Sequence, residues 1–337
     1  NGVLNIFSSD KNDYRFTFAS KETRFDVNLE LETVETEPKR YTYVLGPNEY
    51  CSTAAERLYK LHENLSNLTL EEVIKAFSVE SLSKQFFSDY RKLFEDLSEE
   101  LKNILDNDSK IKDDFAKHSI DYKNFVKKLL GQIVFIYFIQ KKGWLGIKKD
   151  QYGNYGEWGT GDRKFIRNLF NKKYIDYNNF FNDVLEPFFY EGLGNTHTNN
   201  VFQMLKCKVP FLGGNLFEPL KEYNWEETDI IISDDLIESV LDKFDQYNFT
   251  IQEDDPLDRE VAVDPEMLGK VFENLLPENI KKGKGTYYTP RTIVKYMCQE
   301  SLINYLIEEC DNIEESKIRD FVLNDDKEHN IQNADLE

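Results

Sequence analysis

The residues best placed to do chemistry lie near the end of the chain, in Gly285-Thr-Tyr-Tyr-Thr-Pro290. They follow a Lys/Gly loop, Ile280-Lys-Lys-Gly-Lys-Gly285, whose glycines allow backbone shapes closed to other residues. Thr289-Pro290 reads as a helix cap followed by proline at the first helical position, where a missing N–H costs no hydrogen bond. A glycine-rich loop running past two tyrosines into a helix N-terminus offers unpaired N–H groups and partial positive charge to an anion. The tyrosines offer ring faces to a flat or apolar group. Taken alone, these residues favour an ordinary helix–loop–helix corner with tyrosines in its core over such a pocket.

A second stretch carries charge. Between Lys123 and Lys173, twelve lysines and arginines meet only Asp150, Glu157 and Asp162, a local charge of +9 in a chain of net charge −20. Trp144, Tyr152, Tyr155 and Trp158 are interleaved with them. Basic and aromatic residues mixed in this way suit a phosphate backbone, and Lys141, Lys142, Lys148 and Lys149 are the candidate contacts. A solvated lysine face is the equal alternative. A third pattern, Asp26 with Glu37-Pro38-Lys39, mimics an Asp…Glu-x-Lys arrangement that holds a divalent metal in a large nuclease superfamily. Pro38 removes a ladder donor and argues against a central strand, so a charged turn is expected there.

The elements that must position these residues follow from periodicity. Strand signals cluster in the first fifty residues: Tyr14–Phe18 and Phe25–Leu31 alternate, Arg40–Leu45 is aromatic and β-branched, and Val3–Phe7 can pair with Tyr14–Phe18 as a hairpin. Thr69-Leu-Glu-Glu72 is a capping box. Ser81–Leu105 is a long amphipathic helix, Asn103–His118 a charged connection, and Phe125–Gln140 a helix apolar nearly all round, hence buried. Tyr152–Gly161 reads as a flexible glycine-rich loop and Tyr177–Tyr190 as an aromatic helix. Gly213-Gly214 marks a tight reversal above Leu212, Leu216 and Phe217, and Asp234–Phe244 is a short helix. Tyr247–Ile251 is a strand or extended arm, and 252–264 an acidic connector. Asp264 then caps a helix with Leu268, Val271, Phe272, Leu275 and Leu276 on one face, ending before Pro277. A last helix after Pro290 places Val294, Met297, Cys298, Ser301, Leu302, Tyr305 and Leu306 on its apolar face.

The expected class is α+β and mainly α-helical, with a small N-terminal antiparallel sheet followed by a helical domain. Expected divisions are 1–52, 53–230 and 231–337. At 337 residues with 40% hydrophobic and 14% aromatic content, the chain can bury more than one core. Its net charge repels nucleic acid at long range, so only a local basic cleft could bind it. Cys51, Cys207, Cys298 and Cys310 lack metal-ligand or disulfide spacing, which fits a reducing compartment. The longest apolar run, Ile133–Ile139, is too short to span a bilayer. No membrane partner and a cytoplasmic location are expected.

The order of parts adds a resemblance. Leu268-Gly-Lys-Val-Phe-Glu-Asn274, a short basic loop and Gly285-Thr-Tyr-Tyr-Thr-Pro290 together resemble the N-terminal edge of adenine-N6 DNA methyltransferase domains. These are the domains of type IIG (also type IIS) restriction–modification enzymes and of type I modification subunits. Leu130–Leu145 and Val209–Pro219 resemble the helical region ahead of that domain. The resemblance implies that Gly285, Tyr287, Tyr288, Thr289 and Pro290 line an S-adenosylmethionine pocket, that double-stranded DNA is the partner, and that a Rossmann-like sheet follows. It also implies Mg²⁺ wherever a nuclease domain accompanies the methyltransferase. The family's Asp-Pro-x-x-Gly-x-Gly and Asn/Asp-Pro-Pro-Tyr/Phe strings do not occur here. The chain is therefore expected to be a piece of a longer enzyme, without the catalytic residues; a self-contained helical DNA- or protein-binding module is the alternative.

Overall fold

A computed structural model describes residues 2–8, 13–20, 23–24, 34–35, 39–251, 258–265, 267–269, 291–310 and 313–323. The chain divides into two units, Asn1–Val271 and Phe272–Glu337. The class is α+β and mainly α, as expected.

In the first unit, β1 (Gly2–Ser8), β2 (Tyr14–Ser20) and β5 (Lys39–Leu45) form an antiparallel meander with Phe16 opposite both Ile6 and Tyr43. The short strands β3 (Thr23–Arg24) and β4 (Val34–Glu35) pair with each other. Alternation decides what each face meets. Phe16, Phe18 and Tyr43 close on the ring of Phe77 with centroids 5.1–5.5 Å away, and the Tyr43 hydroxyl donates to the Ala76 carbonyl at 2.7 Å. On the other face Thr17 and Thr42 share a hydrogen bond of 2.9 Å. Of the supposed nuclease pattern, Asp26, Glu37 and Pro38 lie outside the described residues, as does the alternating run 25–31; Lys39 opens β5 opposite Ser20.

The helices are α1 (Ser52–Glu63), α2 (Leu70–Ala76), α3 (Val79–Asn107), α4 (Ser109–Lys117), α5 (Tyr122–Lys141), α6 (Phe165–Phe170) and α7 (Asp234–Phe244). The capping box at the start of α2 is complete, with Thr69 and Glu72 bonded reciprocally. The charged connection expected at 103–118 is instead helical. Asp108 accepts from the Lys110 and Ile111 amides, and Ile111 and Phe115, four residues apart, are both buried. Helix α5 is buried along most of its length and packs against α3, whose Leu82, Phe86, Tyr90, Leu93, Leu97 and Leu101 form one buried stripe. Rings of Phe86, Tyr137, Phe138 and Phe244 gather with Tyr247 and Phe249 of the extended arm.

The acidic connector also departs from expectation. Its Asp258–Glu260 is a strand, β8, which joins the sheet parallel to β5. Glu260 turns inward and accepts from Asn248 Nδ2 at 3.2 Å and Thr250 Oγ1 at 2.8 Å. Local composition reads as a linker because its acids look solvated; distant hydrogen-bond partners override it.

Residues 180–193 form the expected aromatic helix, starting at Phe180 with Asn179 accepting from the Asn182 amide at 2.9 Å. Pro187 lies inside it, unable to donate to the preceding turn, and π-helical turns at Phe181–Leu185 and Phe188–Leu193 flank it. Glu186 is buried there. Burial holds its carboxyl well above the ordinary 4.5, the Tyr223 hydroxyl that donates to Oε1 draws it partly back, and Asp229 adds to the rise. The folded chain keeps a proton that the unfolded chain releases near 4.5. Stability from this group is thus complete below about pH 4.5 and is lost as pH rises toward the folded value. Against wild type, Glu186→Gln should gain urea midpoint steadily above that pH, whereas a difference that ignores pH would show the carboxylate already ionised in the fold.

In the second unit, α8 (Arg291–Glu309) and α9 (Glu315–Leu323) pack through buried Ile303 and Ile318, with Arg319 paired to Glu300 and Glu315. Within the described residues Val294, Met297, Leu302 and Tyr305 of the expected apolar face are exposed, and Ile303 takes the buried place. At the end of the first unit Asp264 caps as expected, accepting from the Met267 amide at 2.7 Å, and Leu268 is half-buried. Val271, Phe272, Leu275 and Leu276 lie outside the described residues. Among the described residues no helix is long and apolar enough to cross a membrane.

Candidate nucleic-acid interface

The basic stretch runs along α5 and continues past its end. Gly143 adopts φ +68°, and its carbonyl accepts from the Gly159 and Gly161 amides at 3.1 and 2.9 Å. A Cβ on Gly143 would lie 2.4 Å from the Gly159 carbonyl oxygen, so glycine is required at this crossing. The glycine-rich 152–161 segment, expected as a flexible loop, is docked on this turn by those bonds. Buried Leu145 and Ile147 then carry the chain into a short ladder: Ile147 bridges Lys208 and Lys149 bridges Tyr155, both antiparallel. Lys208 belongs to β7 (Cys207–Lys208), which pairs with β6 (Val201–Phe202).

On this ladder the cations sit over rings. Lys142 Nζ is 4.7 Å from the Trp144 ring, Lys148 4.0 Å from Tyr174, Lys149 5.2 Å from Tyr155 and Lys208 4.9 Å from Trp158. The two indoles are 6.4 Å apart, edge to face. Each cation–ring pair contributes about 0.5–1 kcal/mol at an exposed site, enough to bias where an ammonium points without removing it from solvent. Tyr174 is itself fixed, donating to Asp162 at 2.9 Å; burial first, then the Asp162 charge, hold its hydroxyl well above the ordinary range. Lys148 and Lys149 are exposed, and Lys142 and Lys208 partly so, Lys208 also donating to the Gly156 carbonyl at 3.1 Å.

Not every candidate lysine belongs to this face. Lys141, one residue before Lys142, turns inward to an ion pair with Glu49 and a 3.2 Å bond to Asn248. Lys128 donates to the Asn215 and Glu218 carbonyls. Arg167 is held by Asp245 at 2.6 Å and Asp242 at 2.7 Å. Part of the local positive charge is therefore held by acids or carbonyls elsewhere in the fold, and the outward cations among the candidates are Lys142, Lys148 and Lys149. Lys208 and Tyr174 were missed by sequence reasoning. Lys208 is brought in by strand pairing across the chain, and no local signal could have found it; Tyr174 follows the basic run directly and could have been included as another aromatic.

Gly285, Tyr287, Tyr288, Thr289 and Pro290 lie outside the described residues. No protein-family model matches the chain, and no solved structure matches it. The chain is similar to a Methanocaldococcus jannaschii protein named "Putative type II restriction enzyme and methyltransferase", with 27% identity over 279 residues, covering 73% of this chain and 21% of that protein. The chain thus spans about a fifth of the length of the relative it matches.

Proposed function

We propose that this chain is part of a restriction–modification enzyme that transfers a methyl group from S-adenosylmethionine to adenine N6 in double-stranded DNA. On this reading Gly285, Tyr287, Tyr288, Thr289 and Pro290 form one wall of the cofactor pocket. The basic–aromatic ladder forms part of the DNA cleft. The observation that carries the reading is the set of ring-backed cations Lys142, Lys148, Lys149 and Lys208 gathered around one short ladder, Lys149 and Lys208 on one side of it and Lys148 on the other, in a chain similar to a protein named for restriction and methylation. The resemblance of the Tyr-Thr-Pro loop to adenine-N6 enzymes supports the finer assignment. A longer protein containing this chain should then pass labelled methyl groups from S-adenosylmethionine to adenine in DNA; label appearing on cytosine, or not at all, would overturn the adenine assignment.

The DNA part is testable on the chain itself. Substituting Lys142, Lys148, Lys149 and Lys208 with Gln should flatten the dependence of log binding constant on log salt by roughly 0.9 for each phosphate no longer neutralised. The slope is measured by titrating a short duplex at several salt concentrations. A slope equal to that of wild type would mean that these lysines form only a solvated face.

A further inference from the structure

The ladder ends in a turn that the lysine–phosphate reading leaves without a role. Asp150 closes it: its amide donates to the Asn154 carbonyl at 2.8 Å, and its Oδ1 accepts from the Tyr152 and Asn154 amides at 2.8 and 2.9 Å. Gly153, at φ +86°, supplies the left-handed residue that lets the chain reverse, and its amide donates to the Asp150 carbonyl at 3.1 Å. The backbone at the tip is therefore fixed from several directions.

On this fixed tip stands Tyr152, 80% exposed. Among the described residues no ring or cation lies over it, whereas Trp144, Tyr155, Trp158 and Tyr174 nearby each back a lysine. A lone exposed aromatic is ordinary on a surface. This one differs in being held on a hydrogen-bonded turn three residues after the exposed Lys149, with Asp150 between them spent on the turn's own amides and half-exposed Trp158 beside the same ladder. Tyrosine loses little side-chain entropy when it is held, so a pre-placed ring spends little of its stacking energy on ordering. The lysines on the strand that leads to it select an anionic partner and disfavour an apolar protein surface, since burying them there would strand charge.

We propose that Tyr152 is a stacking wedge. With Lys148 and Lys149 on the phosphates, its ring enters the base stack of duplex DNA and holds one step open. This rests on the DNA reading above and deepens it, because phosphate contacts alone make no demand for an aromatic tip. Opening a step costs least where pairing is already faulty, so a duplex with one mismatched pair should be the better ligand.

The test uses the 337-residue chain and two short duplexes, one intact and one mismatched, each with 2-aminopurine beside the central step. Tyr152→Ala should weaken binding to the mismatched duplex by roughly 5- to 150-fold, the range of losing one aromatic–base stack. It should abolish the rise in 2-aminopurine fluorescence, leave the salt slope unchanged and keep the thermal midpoint. Tyr152→Phe and Tyr152→Trp should restore the fluorescence rise. If Tyr152→Ala binds and reports as wild type while Lys148→Gln and Lys149→Gln flatten the salt slope, the wedge is overturned and the DNA face stands. If neither set of variants changes binding, both fall.

Discussion

Lys141→Gln should destabilise the unit spanning 1–271 by about 3–5 kcal/mol, the usual cost of removing one member of a buried ion pair. The Glu49 side chain is 3% exposed and that of Lys141 16%. Glu260 is close enough for the Lys141 charge to matter: burial raises its carboxyl above the ordinary range, and Lys141 pulls it back. Glutamine would leave Glu49 as a desolvated carboxylate without a counter-ion. The neighbouring Lys142→Gln removes the same charge from a half-exposed position and should stay within about 0.5 kcal/mol of wild type. Urea denaturation followed by tryptophan fluorescence compares the two directly. The combined Lys141→Met, Glu49→Leu variant should recover most of the loss, since replacing a whole buried pair with apolar groups is often neutral. Equal, small effects at 141 and 142 would show that both ammonium groups are solvated, and would return Lys141 to the set of proposed DNA contacts.

Phe249→Ala should cost a similar amount, about 3–5 kcal/mol, through the cavity left in the core. Phe249 is 2% exposed, with ring centroids 4.9 Å from Tyr137, 5.2 Å from Phe138 and 6.3 Å from Phe86. Its backbone is also where the extended arm bridges Val263, just beyond β8. Phe249→Leu keeps most of the volume and should lose much less. The surface control is Phe211→Ala, at a residue exposed to solvent, which should change the urea midpoint little. A small loss for Phe249→Ala would mean that the arm is peripheral to the core.

Much of the fold could be read from neighbouring residues because the forces that form it are local. Helix α3 follows from apolar spacing at three and four residues, α5 from a run apolar nearly all round, and α2 from the reciprocal Thr69–Glu72 cap. Strand β2 follows from alternation and β5 from aromatic and β-branched content, and the pleat sets which side chains reach Phe77. The tight reversal at Gly214, with φ +97°, is of the same kind, although beneath it only Phe217 is fully buried while Leu212 and Leu216 are partly so.

The candidate site was legible as a composition and not as a surface. A run of lysines shows where positive charge accumulates, yet successive helical residues point about 100° apart. Lys141 and Lys142 therefore part company at the end of α5, one toward Glu49 and one toward the Trp144 ring. Which of them faces inward depends on where residues 49 and 248 lie, and nothing near 141 in the chain records that. The same holds for Lys208, delivered to the ladder by its bridge to Ile147, and for Asp258–Glu260, turned from an acidic linker into a strand by β5. Local propensity decides which segments are helix or strand because its energies come from residues within a turn. Charge partners, strand neighbours and burial come from residues far apart in sequence, so only the tertiary structure could decide which cations remain on the surface.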